Sequence, residues 1–413
     1  MIMNKGLNFK YNTILLLTPA IYTSFFPGKI VVISALCMYP IMTILWVKLY
    51  KYNSREFDSV RLIMLYIFLN IIIFVRGIFN SNSSQDWIVL FSSTIFTTTL
   101  FPLYIFTIKF DRLILIFRSI LRIAIPLSFI TYFFPPTNGF MSFQHNISIV
   151  YLFVFFLPFV DWKWKVFIIF LGFIGVTFDM TRRSFSINFL VSICVLAIYI
   201  STNTNFFTKI SKFFFITFVL SPILFLILGL TGSFNVFTVG EYFDNLVIGN
   251  HGNTRIALVD SRTAIYSDVF GELRNRDAFI WGLGGGGKTK TSLSDNSNTL
   301  YYILYKEGRR GTESGMLNYF QWGGIITAFV YWLLLTTASY KAIYKSKNGF
   351  LKMLGLFMSF KVAYSFIEDT INVQISSFYL MLMIGICFNK CIRNVENNKI
   401  KEMVKVVFNT KIL

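Results

Sequence analysis

Long apolar stretches separated by short polar connections make up most of this 413-residue chain. About 20 consecutive apolar residues form a helix that crosses a bilayer. By that criterion the pattern predicts an all-α polytopic membrane protein with about 12 transmembrane helices, of which the sixth and seventh are short. The predicted helices lie near residues 12–27, 30–47, 60–79, 87–108, 113–134, 147–160, 165–180, 184–201, 213–231, 314–338, 350–367 and 371–389.

One polar stretch, 231–313, interrupts this pattern between the ninth and tenth predicted helices. It holds nine Lys or Arg and nine Asp or Glu residues, so its charge is balanced. Within it, 255–274 has apolar side chains at helical spacing, which predicts a short helix that Asn253 or Thr254 could cap. We expect this stretch to fold outside the bilayer and to carry most of the chemistry.

The basic residues predict the orientation of the helices. Of the 38 Lys and Arg residues, 22 fall at the two termini and in one alternate set of connections, whereas the opposite short connections hold four. Short loops rich in Lys and Arg stay in the cytoplasm, so both termini are predicted to be cytoplasmic. The chain then divides into transmembrane helices 1–9 (1–231), a large periplasmic loop with short helices (232–313), transmembrane helices 10–12 (314–390) and a basic cytoplasmic tail (391–413).

The composition agrees with a membrane protein and argues against a soluble domain, a nucleic-acid-binding protein and a cysteine-based metal site. The chain is 55% hydrophobic and 14% charged, with a mean hydropathy of +0.63, whereas about a quarter of a soluble domain is charged. The net charge of +19 follows from the orientation bias, so no nucleic-acid partner is expected. The four cysteines lie in or beside apolar segments, which predicts neither a disulfide framework nor a cysteine metal site.

Residues 282–289 match the phosphate-binding P-loop pattern literally, with glycines followed by Lys288 and Thr289. Such a loop cradles phosphate between a strand and a helix, and the Ser- and Asn-rich sequence that follows is a poor helix start. We therefore do not expect an ATP site and interpret these residues as a flexible turn. A glycine loop whose backbone approaches a sugar or a diphosphate stays an alternative.

Several Arg residues lie where a bilayer makes charge costly. Arg182 and Arg183 end the seventh predicted helix on the outer face, against the charge bias. Their planar guanidinium groups suit a diphosphate, although arginines there also snorkel to headgroups. Arg118 and Arg122 are four apart on one face of the fifth predicted helix. Such intramembrane charges indicate either a functional site or an ion pair.

Two further charged residues carry the same kind of ambiguity. Lys361 lies in the eleventh predicted helix, either facing a wet cavity or paired with Asp111 or Glu368. Glu313 lies where the chain re-enters the membrane. A partly desolvated carboxylate at that point would serve as a general base, and a negative charge before a helix is also favoured by the helix dipole.

No metal and no other cofactor is expected. The chain has two histidines, His145 and His251, both in predicted outer connections. A catalytic metal needs three ligands at fixed geometry, and the sequence shows no such spacing. Either histidine as a general base stays an alternative.

From Arg262 to the tenth predicted helix, the chain resembles the bacterial O-antigen polymerase and ligase superfamily. The similar features are Arg262 followed by Ala264-Ile265-Tyr266, the Trp-Gly-Leu-Gly sequence of 281–284, and a polar residue ahead of the Gly-Ile-Ile sequence of 324–326. The sequence of 181–184, Thr-Arg-Arg-Ser, also resembles the superfamily's Ser-Arg-small element at an outer helix end.

The resemblance implies a multi-pass glycosyltransferase of the bacterial inner membrane. Such a surface polysaccharide polymerase joins undecaprenyl-diphosphate-linked oligosaccharide repeat units into O-antigen or a similar polysaccharide on the periplasmic face, without a metal. Its partners are the lipid-linked donor and acceptor, membrane lipids and, as a further candidate, a chain-length regulator protein. Superfamily ligases carry a His-Asn pair where Glu313-Ser314 stands here, which disfavours a ligase.

This resemblance suggests roles for the charged residues. Arg262 would stabilise the departing diphosphate, and Glu313 would take the proton from the acceptor hydroxyl. The residues predicted to bind the diphosphate or the glycan are Arg183, Arg182, Arg255, Arg122 and Arg76.

Two other classes of membrane protein are alternatives. A flippase or transporter for a lipid-linked oligosaccharide would fit Arg118, Arg122 and Lys361 as residues lining a central path, but the long outer stretch does not fit it. A sugar-modifying acyltransferase would be expected to have histidines in its membrane helices, and the predicted helices contain none.

Overall fold

The computed structural model describes 54–91, 94, 102, 105, 110–126, 128–129, 144, 147–178, 183–230, 262–290, 308–369 and 375–408. The first two predicted helices lie outside these residues, as do Arg182, Arg255, both histidines and the predicted caps of the 255–274 helix. The regular secondary structure of the described part is helical, and the only strand-like pairing there is two isolated β-bridges.

The α-helices are numbered here in chain order. They are α1 Val60–Asn80, α2 Ser84–Val89, α3 Phe110–Ser119, α4 Val150–Val154, α5 Trp162–Phe178, α6 Arg183–Ser201, α7 Thr204–Leu230, α8 Arg262–Asn275, α9 Gly315–Tyr344, α10 Gly349–Tyr364, α11 Ile375–Phe388, α12 Lys390–Asn394 and α13 Asn397–Phe408. A π-helical turn, Ile120–Ala124, continues α3.

The chain is an all-helical membrane protein, as predicted. Among the described residues, four helical stretches are long and apolar enough to cross a bilayer: Val60–Asn80, Ser184–Ser201, Thr204–Phe225 and Gly315–Tyr344. The count of twelve spans stays a prediction. Helices α5, α6 and α7 expose large apolar side chains, including Phe173, Leu190 and Phe213, as expected of surfaces that face lipid.

Helix α9 is the centre of the described bundle and packs against α1, α7, α10 and α11. Aromatic side chains fill much of the core, as where Phe156 stacks on Phe350 with ring centroids 4.8 Å apart. The tail is also part of this core, because α13 buries an apolar face that includes Phe408, which packs on Trp164 at 5.0 Å. The tail predicted for 391–413 therefore contains two helices and docks on the bundle.

Helix α9 is broken rather than continuous. Gly324 has φ 67° and ψ −169°, which is not helical. The rings of Tyr319 and Tyr331 lie 4.4 Å apart, although residues twelve positions apart on a straight helix are separated by about 18 Å. The chain must therefore turn back at Gly324, so that 315–323 and 325–344 form two separate helical halves. Only 325–344, about 30 Å long, matches a bilayer crossing.

The first half of α9 belongs to a re-entrant hairpin, which we define as 308–324. Its extended arm runs beside its helical arm, since Trp322 Nε1 donates to Arg310 O at 3.0 Å and Asn318 Nδ2 donates to Thr312 O at 3.1 Å. The tip reaches the end of α10, where the Met316 amide donates to Ser365 O at 2.8 Å.

The re-entrant hairpin penetrates deep into the bundle. The Tyr319 hydroxyl hydrogen-bonds with that of Tyr66, which lies about 9 Å along α1 from its first residue. Non-helical backbone is tolerated at such depth where protein groups satisfy it. The sequence prediction of one tenth helix over 314–338 is therefore wrong in its N-terminal part.

At the end of the bundle where α1 begins, one carboxylate forms ion pairs with three basic side chains. Asp58 precedes α1 and pairs with Lys341 at 3.3 Å, Lys390 at 2.8 Å and Arg393. Lys341 lies near the end of α9, and Lys390 and Arg393 lie in α12, so these segments share one side of the molecule with the start of α1. This is the end that the charge bias predicts to be cytoplasmic.

Arg118 ties the tail helix to α3. Its Nε and Nη2 donate to Val406 O at 3.0 and 2.6 Å, which satisfies a carbonyl in the last turn of α13. The side chain therefore serves the structure, rather than only reaching toward headgroups.

Candidate functional site

The glycine loop, 282–287, fills the break in α9. The Leu283 and Gly284 amides donate to Gln321 O and Trp322 O at 2.7 and 2.8 Å, which are carbonyls near the end of the interrupted first half of α9. A third amide, that of Gly285, donates to Ile73 O of α1 at 2.9 Å. The loop thus joins α1 and α9 through its backbone.

Glycine is required at the closest approaches. Gly282 and Gly284 have φ of 68° and 84°, a region that glycine adopts at no steric cost. A side chain at Gly282 would also overlap the backbone of Trp322 and Gly323. The glycines therefore allow backbone to pack on backbone.

This geometry does not support a P-loop. Five of the six loop amides, all but that of Gly286, already donate to protein carbonyls. The described residues on either side form neither the preceding strand nor the following helix that a P-loop needs. The interpretation as a flexible turn also differs from the structure, because all of 282–287 is buried.

Arg76 holds the glycine loop from α1. Its Nη1 donates to Trp281 O, and its Nη2 donates to Gly282 O at 2.9 Å. One turn further along α1, Asn80 Nδ2 donates to Leu283 O at 2.5 Å. The predicted role of Arg76 in binding donor is untested, and the contacts described give it a structural one.

Asp86 is a buried acceptor in α2, near the C-terminal end of α1, the end that the charge bias predicts to be outer. Its side chain is 2% exposed, and its Oδ1 lies 2.6 Å from Arg310 Nε and 3.1 Å from Lys288 Nζ. It also forms a capping box with Ser83 at the start of α2. Burial raises the pKa of the carboxyl, but hydrogen bonds from Arg310, Ser83 and Lys288 outweigh burial and hold the pKa well below its usual value.

Arg309 and Glu313 pair across the extended arm of the re-entrant hairpin. Arg309 Nη2 lies 3.1 Å from Glu313 Oε1, with the arginine side chain 7% exposed and the glutamate 60% exposed. Arg309 Nε also donates to Gly311 O at 3.0 Å. Glu313 therefore has one described cationic partner and a largely exposed side chain, and its role as a base stays a prediction.

These residues lie around the C-terminal end of α1, and we call them the outer polar cluster because the charge bias predicts this end to be external. Sequence reasoning missed Asp86, Arg309 and Arg310 as members. The capping-box spacing of Ser83 and Asp86 was a local signal, but nothing in the sequence paired Asp86 with residues more than 200 positions away. The members are Arg76, Asp86, Lys288, Arg309, Arg310 and Glu313.

Helix α8 contacts the tip of the re-entrant hairpin. Tyr266 Oη donates to Phe366 O at 2.6 Å and lies 3.2 Å from Ser314 Oγ. Arg262 is one helical turn before Tyr266, and Glu313 immediately precedes Ser314. The first turn of α8 and the predicted base therefore belong to neighbouring backbone segments. The helix was predicted from 255, whereas the described residues contain it from Arg262 to Asn275.

The remaining predicted site residues are less completely described. Arg183 opens α6, and its side chain, like that of Arg262, lies outside the described part. Arg122 lies in the π-helical turn and is exposed. The structure does not show either residue with the outer polar cluster, so their substrate-binding roles stay predictions.

Lys361 lies in an aromatic environment. Its side chain is buried, and Nζ lies 5.8, 5.5 and 5.4 Å from the ring centroids of Tyr151, Phe357 and Tyr364. Aromatic faces attract a cation at such distances. The side chain of Asp111, one of its two expected ion-pair partners, lies outside the described residues.

Within the described residues, no group of three His, Cys, Asp or Glu side chains could hold a metal ion. No protein-family model, no curated protein and no solved structure matches this chain.

Proposed function

We propose that this protein is a membrane glycosyltransferase that polymerises undecaprenyl-diphosphate-linked oligosaccharide repeat units on the outer face of a bacterial inner membrane. The observation that carries the proposal is the contact between α8 and the re-entrant hairpin. Through Tyr266 and Ser314, 3.2 Å apart, it supports neighbouring positions for Arg262 and Glu313, the two residues with proposed catalytic roles.

The charge of the outer polar cluster supports an anionic substrate. Four of its six members are basic, against two carboxylates. Guanidinium groups make charge-assisted, often bidentate hydrogen bonds to phosphate oxygens. In this proposal Arg262 binds the donor diphosphate together with Arg183, Arg182 and Arg255, whereas Arg122 and Arg76 line the donor's approach. The cluster adds positive potential at the outer end of the bundle.

The reaction transfers a glycan from one lipid carrier to another acceptor. The carboxylate of Glu313 accepts the proton of the acceptor hydroxyl, and that oxygen bonds to the anomeric carbon of the donor. The bond from this carbon to the diphosphate oxygen breaks, and undecaprenyl diphosphate leaves with the electron pair. Arg262 offsets the charge that develops on the departing group. Glu313 then releases its proton to the outer medium.

A flippase or transporter for the same class of lipid is a second candidate, favoured by the break in α9. Discontinuous membrane helices are typical of transporter substrate sites, where half-helix ends face the ligand. Here the glycine loop fills the break with hydrogen bonds, which favours a fixed structure over a transport path.

A strain that lacks the protein distinguishes these functions. Loss of a polymerase is expected to leave single repeat units on the cell surface. Accumulation of the lipid-linked repeat in the cytoplasmic leaflet would instead identify a flippase, and unchanged glycan would reject both candidates.

Complementation of that strain tests the two catalytic assignments. Arg262→Ala and Glu313→Gln are each expected to lower long-chain product by at least about 100-fold, the usual range for losing a general base or a stabilising cation, at normal protein levels. Arg274→Ala on α8, and Glu272→Gln, whose carboxylate pairs with Arg276 at 2.5 Å, are matched controls expected to keep wild-type chain lengths. Wild-type chain lengths in the first two variants would contradict the assignments.

A further inference from the structure

Three consecutive apolar residues between α8 and the glycine loop are exposed. Phe279, Ile280 and Trp281 are 41%, 53% and 51% exposed, although the preceding helix carries mostly polar side chains on its open surface. Contiguous exposed apolar surface of this kind marks an interaction site. This apolar tip, 279–281, lies in the stretch that the sequence predicted to fold outside the bilayer.

The apolar tip lies against the membrane-crossing half of α9. The Ile325 amide donates to Phe279 O at 3.0 Å, and a side chain at Gly324 would overlap the carbonyl of Ile280. Ile325 and, one turn further, Phe329 are also exposed large apolar side chains. The apolar tip and this stripe of α9 therefore form one continuous surface.

We propose that the apolar tip inserts into the outer leaflet of the bilayer and contacts lipid acyl chains. Continuity with α9 identifies the occupant, because 325–344 crosses the bilayer and its exposed apolar stripe faces lipid. The flanking charges agree with this depth. Arg274, Arg276 and Asp277 precede the tip and are exposed, as expected of residues at headgroup level, and Trp is enriched at this interface.

Insertion changes the organisation of the outer stretch. It becomes a segment that returns to the membrane between α8 and Lys288, rather than a loop that remains in the aqueous phase. Two backbone carbonyls of the tip have hydrogen-bond donors within the protein. Phe279 O accepts from the Ile325 amide, and Trp281 O accepts from Arg76, so these polar groups are satisfied away from water. This inference does not depend on the enzymatic proposal.

Nitroxide accessibility in proteoliposomes tests the insertion. The full-length protein carries a spin label at Ile280→Cys, or at the matched polar position Arg276→Cys four residues earlier, after Ser replaces Cys37, Cys194 and Cys391. In phosphatidylcholine and phosphatidylglycerol vesicles, the label at 280 should collide more often with oxygen, which concentrates in lipid, than with a water-soluble nickel chelate. The label at 276 should show the opposite order.

The other outcomes overturn the proposal. Preferential collision with the nickel chelate at 280 would place the tip in water. Low accessibility to both reagents would indicate that protein, such as a second copy of the chain, covers the tip.

A second measurement uses the native sequence and so does not depend on the folding of the cysteine variants. Phosphatidylcholine brominated on its acyl chains should quench a larger fraction of the tryptophan fluorescence of the wild type than of Trp281→Phe. Equal quenching in both proteins would also overturn the insertion.

Discussion

At the scale of single residues, most charges that look available in the sequence already have structural partners in the described part of the chain. Arg76 donates to the carbonyls of the glycine loop, and Arg118 donates to that of Val406. Buried polar groups are costly unless they are hydrogen-bonded, so these side chains first stabilise irregular backbone. A positive charge near an apolar segment is therefore weaker evidence for a substrate site than its position suggests.

Asp86 gives the clearest test at this scale. Asp86→Asn leaves Arg310 and Lys288 without their shared carboxylate, and removing one partner of a buried pair costs about 3 kcal/mol. We expect a lower midpoint of thermal unfolding in detergent. A matched control is Glu272→Gln, which removes the carboxylate of a more exposed pair and should change stability by about 0.5 kcal/mol or less.

The same carboxyl predicts a pH dependence. Its pKa is lower in the folded protein than its usual value of 3.8, so the unfolded chain binds the proton more readily. The stability that Asp86 contributes is therefore fully present above pH 3.8 and is lost as the pH falls toward the folded pKa. The difference in unfolding midpoint between wild type and Asp86→Asn should stay constant from about pH 5 to 8 and narrow below about pH 4. A difference that instead grows with acidification would contradict this account.

At the scale of elements, the break in α9 determines the arrangement of the outer end. The glycine loop is complementary to the break, because its amides satisfy carbonyls near the end of the first half of α9 and the Ile325 amide of the second half donates to Phe279 O. A helix end buried without such partners would be strongly disfavoured. The loop and the re-entrant hairpin therefore depend on each other for stability.

Gly324→Ala tests this dependence. Gly324 has φ 67°, and a Cβ there would overlap the Ile280 carbonyl and the Trp281 backbone, so the substitution strains the backbone and displaces the apolar tip. We expect a loss of at least about 2 kcal/mol in the free energy of unfolding. Gly271→Ala on α8 is the control, since a Cβ there meets nothing within 4 Å, and alanine in a helix should stabilise by about 0.5–1 kcal/mol. Equal unfolding midpoints for the two variants would mean that the break is not a stability determinant.

At the scale of the whole molecule, the sequence predicts the helices better than it predicts their connections. The apolar pattern anticipates α1, α6, α10 and α11 within a few residues, because twenty apolar residues in a row leave the backbone little choice but a helix. The same pattern misses the break at Gly324, since the large apolar and aromatic side chains of 316–322 lead into the apolar 325–344 and no proline or charged residue marks the boundary. The re-entrant hairpin depends on contacts between distant segments, such as Tyr319 with Tyr66, which no local signal specifies.

The candidate site shows the same limit. Arg262 and Glu313 were selected by resemblance and by position near a membrane helix, and the structure gives their neighbouring segments a direct contact through Tyr266 and Ser314. Asp86 and Arg310 were missed because their pairing joins residues more than 200 positions apart. Local sequence spacing therefore identifies candidate residues near helix ends. A cluster whose members come from several elements is recognised only from the folded structure.

The orientation of the whole molecule is the last expectation, and it combines the fold with the charge bias. The Asp58 ion pairs hold the end of α9 and helix α12 at the same side as the start of α1, and the glycine loop contacts the opposite end of α1. Basic connections stay in the cytoplasm, so the Asp58 side should be cytoplasmic and the outer polar cluster external.

Alkaline phosphatase fused after Lys290 should be active. The same fusion after Lys345 should be inactive, and a green fluorescent protein fused after Lys345 should fluoresce. A fusion in the connection between α6 and α7, after Thr202, is the control and should behave like the fusion after Lys345. Reversed phosphatase activity at all three sites would mean that the orientation is the opposite of the predicted one. Inactive phosphatase at Lys290 alone would refute an external position for the cluster, because Lys290 lies only three residues after the glycine loop.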